Sequence, residues 1–384
     1  MSPVPMLDLK KQLAAIKDEV AREVMGVIES GQYILGKMVS QFEQKAAAYI
    51  GTKHAIGVAS GTDALHLSLK ALGIGAGDEV ITTPFTFFST VEAILYLGAK
   101  PVFVDMEPET FNIDASKIEE KVTSKTKAVL PVHLFGLPAA MDKIMELAGR
   151  HDLKVVEDCA QSFGAALWPA GGQKGQMTGS FGNTGAFSFY PSKNLGAYGD
   201  GGLITTDSDD IAREIRLLRN HGSAGGYIHT SVGFNSRLDE LQAAVLLVKL
   251  KRLDAYNEKR RQKAALYNRL MSGSGPGSAP GPGNVKCPSI GGENGKTFRH
   301  VFHQYTVRLQ ERDAVKERLR ADGVASMVYY PVPLHLQPAL KFLGHREGDF
   351  PHAEAASRQV LSLPIYPELE DADIERISKI VAGA

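Results

Sequence analysis

A chain of 384 residues with 43% hydrophobic and 22% charged side chains has the make-up of an ordinary globular protein, and it is long for one compact core, so two domains are expected. Forty-three acids balance 43 bases, which argues against a general affinity for nucleic acid or an anionic membrane. Two distant cysteines, Cys159 and Cys287, give neither a disulfide framework nor metal-type spacing; the polar helical start and short apolar runs lead us to expect a cytoplasmic protein with no signal peptide, membrane span or metal.

An amphipathic helix is expected from about Lys10 to Ser30, stopped by Gly31. HAIGVAS, His54–Ser60, reads as a strand, and GTDALHLSLKALG as a following helix with Leu65, Leu69 and Leu72 on one face and Gly73 at its end. EVITTPF, KPVFVDM, AVLPVH, KVVEDCA, AFSFY and GGLITT supply six further strands. Several are near-continuous runs of Val, Ile and Leu, as in strands covered on both faces. Strands alternating with helices predict a mainly parallel sheet in an α/β domain.

After Thr206 the pattern changes. DIAREIRLLRN is a helix, and the stretch from Leu238 to about Met271 is one very long helix or two with a bend. SGSGPGSAPGPG, Ser272–Gly283, is a loop or linker. QYTVRL, a helix around Asp313–Ala321, VASMVYYP and a closing helix near Asp371–Ala382 then suggest a small α+β domain.

The polar residues with chemical potential share one place in this scheme. Ser60-Gly61-Thr62 follows the first strand, Phe87 follows EVITTP, His133 closes AVLPVH, Asp158 ends KVVE, and Lys193 comes just after AFSFY. With parallel strands all of them reach the carboxyl-end edge of one sheet, where open α/β sheets bind ligands. The SGT turn offers backbone N–H groups and hydroxyls at a helix start, a small anion cradle, although Ser and Thr are also ordinary N-caps. An acid at a strand end more commonly caps a turn or forms an ion pair, Gln161 bonds to backbone or supports the acid, and a phenylalanine is more commonly core than a stacking plate.

Lys193 tips the balance. From Cys159 to Gly199 there is no Asp or Glu, so nothing nearby in sequence holds this ammonium in a salt bridge. A lysine, an acid for a heterocyclic nitrogen, an anion site and a flat apolar cover together describe the needs of pyridoxal 5'-phosphate. Lys193, Asp158, the Ser60–Thr62 turn with Ser188, and Phe87 fill those roles.

At these residues the sequence resembles the DegT/DnrJ/EryC1/StrS family of pyridoxal-phosphate sugar aminotransferases. The matching segments include SGTDALHLSLKALGIGAGDEVITTPFTFFSTVEAI, VLPVHLFG, VVEDCAQSFGA, FSFYPSKNLGAYGDGGLITT and VGFNSRLDELQAAVL, in family order across most of the chain. The resemblance implies the aspartate aminotransferase-like fold type I, with a seven-stranded, mainly parallel sheet in a large α/β domain and a smaller α+β C-terminal domain. The expected boundaries are 1–30 for an N-terminal segment packing with the small domain, 31–250 for the large domain and 251–384 for the small one.

The same resemblance implies a homodimer with shared active sites, L-glutamate as amino donor and a nucleotide-linked keto-sugar as acceptor. A 3-keto sugar is favoured, with a 4-keto sugar or a non-catalytic regulator as alternatives. Residue by residue, it makes Lys193 the lysine that carries the cofactor aldehyde and Asp158 the partner of its ring nitrogen. Gln161 lies near the ring, Phe87 stacks on it, Gly61, Thr62 and Ser188 contact the phosphate, and Asn235 in GFNSR reaches the phosphate from the neighbouring subunit. Arg237 and His221 are candidates for substrate contact. One branch of the family has histidine at the lysine position and performs dehydration; the lysine here favours transamination. The insertion WPAGGQKGQMTG before the lysine strand is longer and richer in glycine than expected. A cysteine desulfurase needs a mobile loop thiol, and Cys159, beside Asp158 at a strand end, suits packing better.

Overall fold

The computed structural model describes residues 2–168, 175–272, 285–291 and 297–383. Residues 273–283 of the Ser272–Gly283 linker and part of the WPAGGQKGQMTG insertion fall outside these residues, and Ser272 itself ends a helix. The N-terminal helix is two helices, α1 (Leu9–Ala14) and α2 (Lys17–Ser30). The chain breaks at Ile16 because that side chain, 2% exposed, turns inward onto Val20, Val245 and Val248. Gly31, in the left-handed region at φ 67°, ends α2 as expected, and α3 (Lys37–Ile50) follows.

The seven expected strands all form, and in one sheet: β1 (His54–Val58), β2 (Glu79–Thr82), β3 (Lys100–Phe103), β4 (Thr126–Val129), β5 (Lys154–Asp158), β6 (Thr184–Ser188) and β7 (Gly202–Thr206). The order across the sheet is β1-β7-β6-β5-β4-β2-β3. β7 runs antiparallel to both of its neighbours, and every other pairing is parallel. Because β7 is reversed, its first residue, Gly202, pairs with Val58 and Ser188 at the carboxyl ends of β1 and β6. All seven strands therefore contribute to the same edge.

Helices cover both faces: α4 (Gly61–Ala71), α5 (Ser89–Leu95), α6 (Met141–Arg150), α7 (Asp209–Leu218) and α8 (Glu240–Leu250). Apolar clusters on either side of the sheet account for the near-continuous strand hydrophobicity. The one-face reading of α4 is too narrow. Leu65 to Leu69 are all buried, because α4 is packed against the sheet and also against α5 and α7. Leu72, half-buried, lies past the last helical turn.

The long helical stretch is broken at Lys251-Arg252, giving α8 and then α9 (Leu253–Ser272). Beyond it, β8 (Tyr305–Arg308) pairs antiparallel with β9 (Val360–Leu363), and α10 (Arg312–Ala321), α11 (Pro351–Gln359) and α12 (Asp371–Ala382) complete the chain. VASMVYYP is mostly irregular, joined to β9 by a bridge from Met327 to Ser362. A second core, including Tyr267, Phe302, Tyr305, Leu361 and Ile377, also takes in Val4, which bridges to Val324. α2 packs on α8. Among the described residues no helix is long and apolar enough to cross a membrane.

Candidate active site

The strand-end edge opens into a cavity of about 460 Å³, and Gly61, Thr62, Phe87, Asp158, Gln161, Ser188 and Lys193 all line it. A larger surface groove of about 1010 Å³ between α10 and α12 contains none of the candidate residues. Chemistry thus follows the sheet edge, not the greatest volume.

Strand alternation separates the two acids at the end of β5. Glu157 points away from the cavity and is fully buried, accepting from the N–H groups of Gly179, Phe181 and Gly182 at 2.8 Å each. The turn-capping role expected of a strand-end acid belongs to this residue. His133 Nε2 lies 3.0 Å from Glu157, and His133 Nδ1 accepts from the Ala139 N–H at 3.0 Å, so the proton resides on Nε2 and is donated to the carboxylate. Asp158 faces the cavity. Its Oδ1 accepts from the Ala160 N–H at 3.1 Å and its Oδ2 from the Thr90 hydroxyl at 2.9 Å.

Burial pushes the Asp158 carboxyl up, opposed by these two hydrogen bonds and by the positive field of Lys193. Burial pulls the Lys193 ammonium down from 10.5 to about 8, with Asp158 resisting. Among the described residues the Lys193 amine has no hydrogen bond or salt bridge; its partner is the Asp158 field across the cavity. An amine with this acidity is available as a neutral nucleophile near neutral pH.

The anion cradle lies at the start of α4. Ser60 caps the helix, its hydroxyl accepting from the Asp63 N–H at 3.1 Å, a contact of a kind that stabilises a helix by about 1 kcal/mol. The N–H groups of Gly61 and Thr62 remain without an acceptor among the described residues, as helix geometry requires of a first turn. A side chain at position 61 would bring its Cβ within 2.6 Å of Ser188 Cβ, so glycine is what lets the end of β6 close on this turn. Ser236 fastens the cradle from outside, donating to Asp63 at 2.7 Å and accepting from the Ala59 N–H at 3.2 Å.

Phe87 is 59% exposed, so it is not core. Its ring lies 6.5 Å from that of Tyr330. Gln161 is held at both ends: its Oε1 accepts from the Phe135 N–H at 2.7 Å and its Nε2 donates to the Tyr330 hydroxyl at 3.1 Å. Sequence reasoning singled out neither Thr90 nor Tyr330. Thr90 is the second residue of α5, a helix whose register to β5 no local pattern reveals, and Tyr330 arrives from the far end of the chain.

Asn235, Arg237 and His221 are not brought into this cavity. Asn235 bridges Asn220, the Arg237 guanidinium donates to Asn220 Oδ1 at 2.9 Å, and His221, in the left-handed region, donates its N–H to the Phe234 carbonyl at 2.8 Å. They cluster near a short hairpin that carries exposed Tyr227 and Ile228. Cys159, 1% exposed and with its thiol pushed well up by burial, is a packing residue.

Pyridoxal 5'-phosphate fits this set on two counts: unpaired N–H donors and a hydroxyl meet where a phosphate needs them, and a carboxylate and an amine of lowered affinity for protons face one cavity. Fold and cavity together define the class, the pyridoxal-phosphate-dependent transferases of fold type I. Residues 14–382 match the model of the DegT/DnrJ/EryC1/StrS aminotransferase family, and the chain belongs to that family.

Similar proteins cover almost the whole chain. A pleiotropic regulatory protein of Geobacillus stearothermophilus is 47% identical over 379 residues, 99% of this chain and 98% of its own. The UDP-N-acetyl-3-dehydro-alpha-D-glucosamine 3-aminotransferase of Acidithiobacillus ferrooxidans is 45% identical over 379 residues, 98% of this chain and 97% of its own. The crystal structure of S. venezuelae DesV in complex with a ketimine intermediate superposes with a TM-score of 0.93 at 42% identity, covering 100% of this chain and 98% of that one.

Proposed function

We propose that this aminotransferase moves an amino group from L-glutamate to a nucleotide-linked keto-sugar, with the 3-keto position favoured, in the making of amino sugars for cell-surface polysaccharide. The observation that carries the reading is Lys193 facing Asp158 across a cavity open at the sheet edge. The substrate class is supported by the Acidithiobacillus relative, whose name specifies a 3-dehydro sugar.

When bound, the cofactor supplies an aldehyde and an electron-poor ring that stabilises negative charge on the carbon losing its proton. Lys193 would bind it through the amine and, once freed by the donor, take the donor's α-proton and later return a proton to the sugar carbon. Asp158 would hold a proton on the ring nitrogen, with Thr90 and the Ala160 N–H fixing its carboxylate. Gly61, Thr62 and Ser188 would grip the phosphate, Phe87 would cover the ring and shield it from water, and Gln161 would orient the Tyr330 side.

Asn235 stands outside its own chain's cavity beside a hairpin with Tyr227 98% exposed and a following segment with Val232 85% exposed. Apolar exposure of this kind is what a subunit contact covers. We assign the protein as a cytoplasmic homodimer in which Asn235 serves the phosphate of the neighbouring site, and Arg237 and His221 the substrate there.

A second reading, a regulator without turnover, takes its support from the name of the Geobacillus relative; the intact Lys193–Asp158 pair weighs against it. One experiment decides. The holoenzyme is offered L-glutamate with a panel of nucleotide-linked 3-keto and 4-keto sugars, and products are weighed by mass spectrometry. Amination of 3-keto sugars with release of 2-oxoglutarate is expected. Amination of 4-keto sugars alone corrects the substrate, and no 2-oxoglutarate with any acceptor rejects the enzyme.

A further inference from the structure

Lys249 is a second lysine that burial pulls down to about 8, and the chemistry above makes no use of it. It lies on α8, 2% exposed, and no carboxylate among the described residues pairs with it. Its ammonium donates to the Gly196 carbonyl at 2.7 Å and lies 4.2 Å from the centre of the Tyr198 ring. A buried unpaired cation opposes folding, so packing alone would favour an apolar residue of the same length.

Side chains before and after it, on α8 and on α9, hold the same segment. Gln242, earlier on α8, accepts from the Tyr198 N–H at 2.8 Å. Asn257, on α9, accepts from the Asn194 side-chain amide at 2.7 Å and donates to the Phe163 carbonyl at 3.1 Å. Residues 194, 196 and 198 are thus held by 257, 249 and 242, every second residue of one segment against a helix pair running the other way. That segment begins immediately after Lys193. Gly196 lies close against the preceding turn, where a Cβ would stand 2.4 Å from the Pro191 carbonyl oxygen. Asn194 is tied further, to the Val301 carbonyl at 2.8 Å.

We propose that Gln242, Lys249 and Asn257 are positioning residues that clamp the segment following Lys193 and so fix its amine relative to Asp158. The clamp rests on the reading of Lys193 as the amine that binds the cofactor. A lysine side chain is four flexible carbons long, and where its nitrogen lies depends on how firmly its backbone is held. The charge-assisted bond from Lys249 is roughly twice as strong as a neutral one, which gives a cation at this position its use.

The test compares Lys249→Met, Asn257→Ala and Gln242→Ala with wild type as holoenzymes. The readouts are the visible cofactor band, its pH midpoint, the half-reaction with L-glutamate and the thermal midpoint. All three variants are expected to keep the band. In Lys249→Met, kcat falls by roughly 10- to 100-fold while KM for the donor changes by less than about threefold, and the pH midpoint of the band moves. Lys249→Arg, which keeps the charge, recovers part of the loss. A lowered thermal midpoint with wild-type kcat and wild-type band midpoint would mean a merely structural role and overturns the clamp. Should Lys249→Met fail to fold, the half-buried Gln242 decides: a fall of about threefold in kcat for Gln242→Ala supports the clamp and an unchanged kcat overturns it. A band that survives Lys193→Ala overturns the lysine reading and the clamp with it, whereas wild-type kinetics in every clamp variant overturn the clamp alone.

Discussion

Thr90 donates its hydroxyl to Asp158 Oδ2 at 2.9 Å, and Thr86 stands 3.0 Å behind it. One oxygen of the buried carboxylate is therefore fixed by α5 and the other by the Ala160 N–H, so the group is held in one orientation and its ionised form is favoured against desolvation. Thr90→Val keeps the shape and removes the donor. A hydrogen bond to a charged group contributes about 1.5–3 kcal/mol, so kcat should fall on the order of 10-fold or more while the fold and the covalent cofactor persist. Steady-state kinetics with thermal melting checks this; unchanged kcat would mean that Thr90 does not tune Asp158.

Gly61→Ala tests the cradle. Its new Cβ would be 2.6 Å from Ser188 Cβ, so the end of β6 and the start of α4 must separate. Overpacking of this kind costs about 1–3 kcal/mol, and the same shift spreads the phosphate donors. Cofactor affinity measured by equilibrium titration should weaken at least about 10-fold. Wild-type affinity would place the phosphate elsewhere.

Phe87 separates a cofactor contact from a core residue. Buried phenylalanines cost about 3–5 kcal/mol when cut to alanine, whereas a residue exposed to this degree changes stability by about 0.5 kcal/mol or less. Phe87→Ala in the cofactor-free protein should therefore melt like wild type yet bind pyridoxal 5'-phosphate several-fold more weakly. A large loss of apoprotein stability, or no loss of affinity, would contradict the stacking role.

The Lys193 amine predicts a pH dependence. Held down to about 8 by burial, it is increasingly neutral as pH rises through 8, well before an ordinary lysine at 10.5. Between these values the unfolded chain binds the proton and the folded chain does not, so this group's contribution to stability increases with pH across that window. Labelling of the cofactor-free protein with a neutral amine reagent, read by mass spectrometry on the Lys193 peptide, should show a midpoint near 8. Lys249, buried beneath the segment, should label far more slowly. A Lys193 midpoint above 10 would remove the case for a pre-set nucleophile.

What the sequence made legible was largely what repeats along it. Runs such as KVVED and GGLITT carry strand identity in every residue, and a strand end places the next few residues at the sheet edge whatever else the fold does. That is why Asp158, Lys193 and the Ser60–Thr62 turn could be gathered before any contact was known. Contacts between helices and this edge left no such trace. Thr86, in the turn after β2, and Thr90, at the start of α5, read as ordinary threonines, and Tyr330 comes from a segment with little regular structure. The break at Ile16 was hidden for a related reason: the residue fits an amphipathic pattern, but its burial against Val245 and Val248 depends on a helix far away in sequence. Lys249 reads as one more lysine on a long helix, and only tertiary packing isolates it from water.

Reduction of the holoenzyme with sodium borohydride, followed by digestion and peptide mass spectrometry, tests the central claim most directly. The cofactor should be recovered fixed to the peptide containing Lys193 and to no other. Recovery on Lys249 or another lysine, or no fixed cofactor at all, would contradict the assignment of the reacting amine.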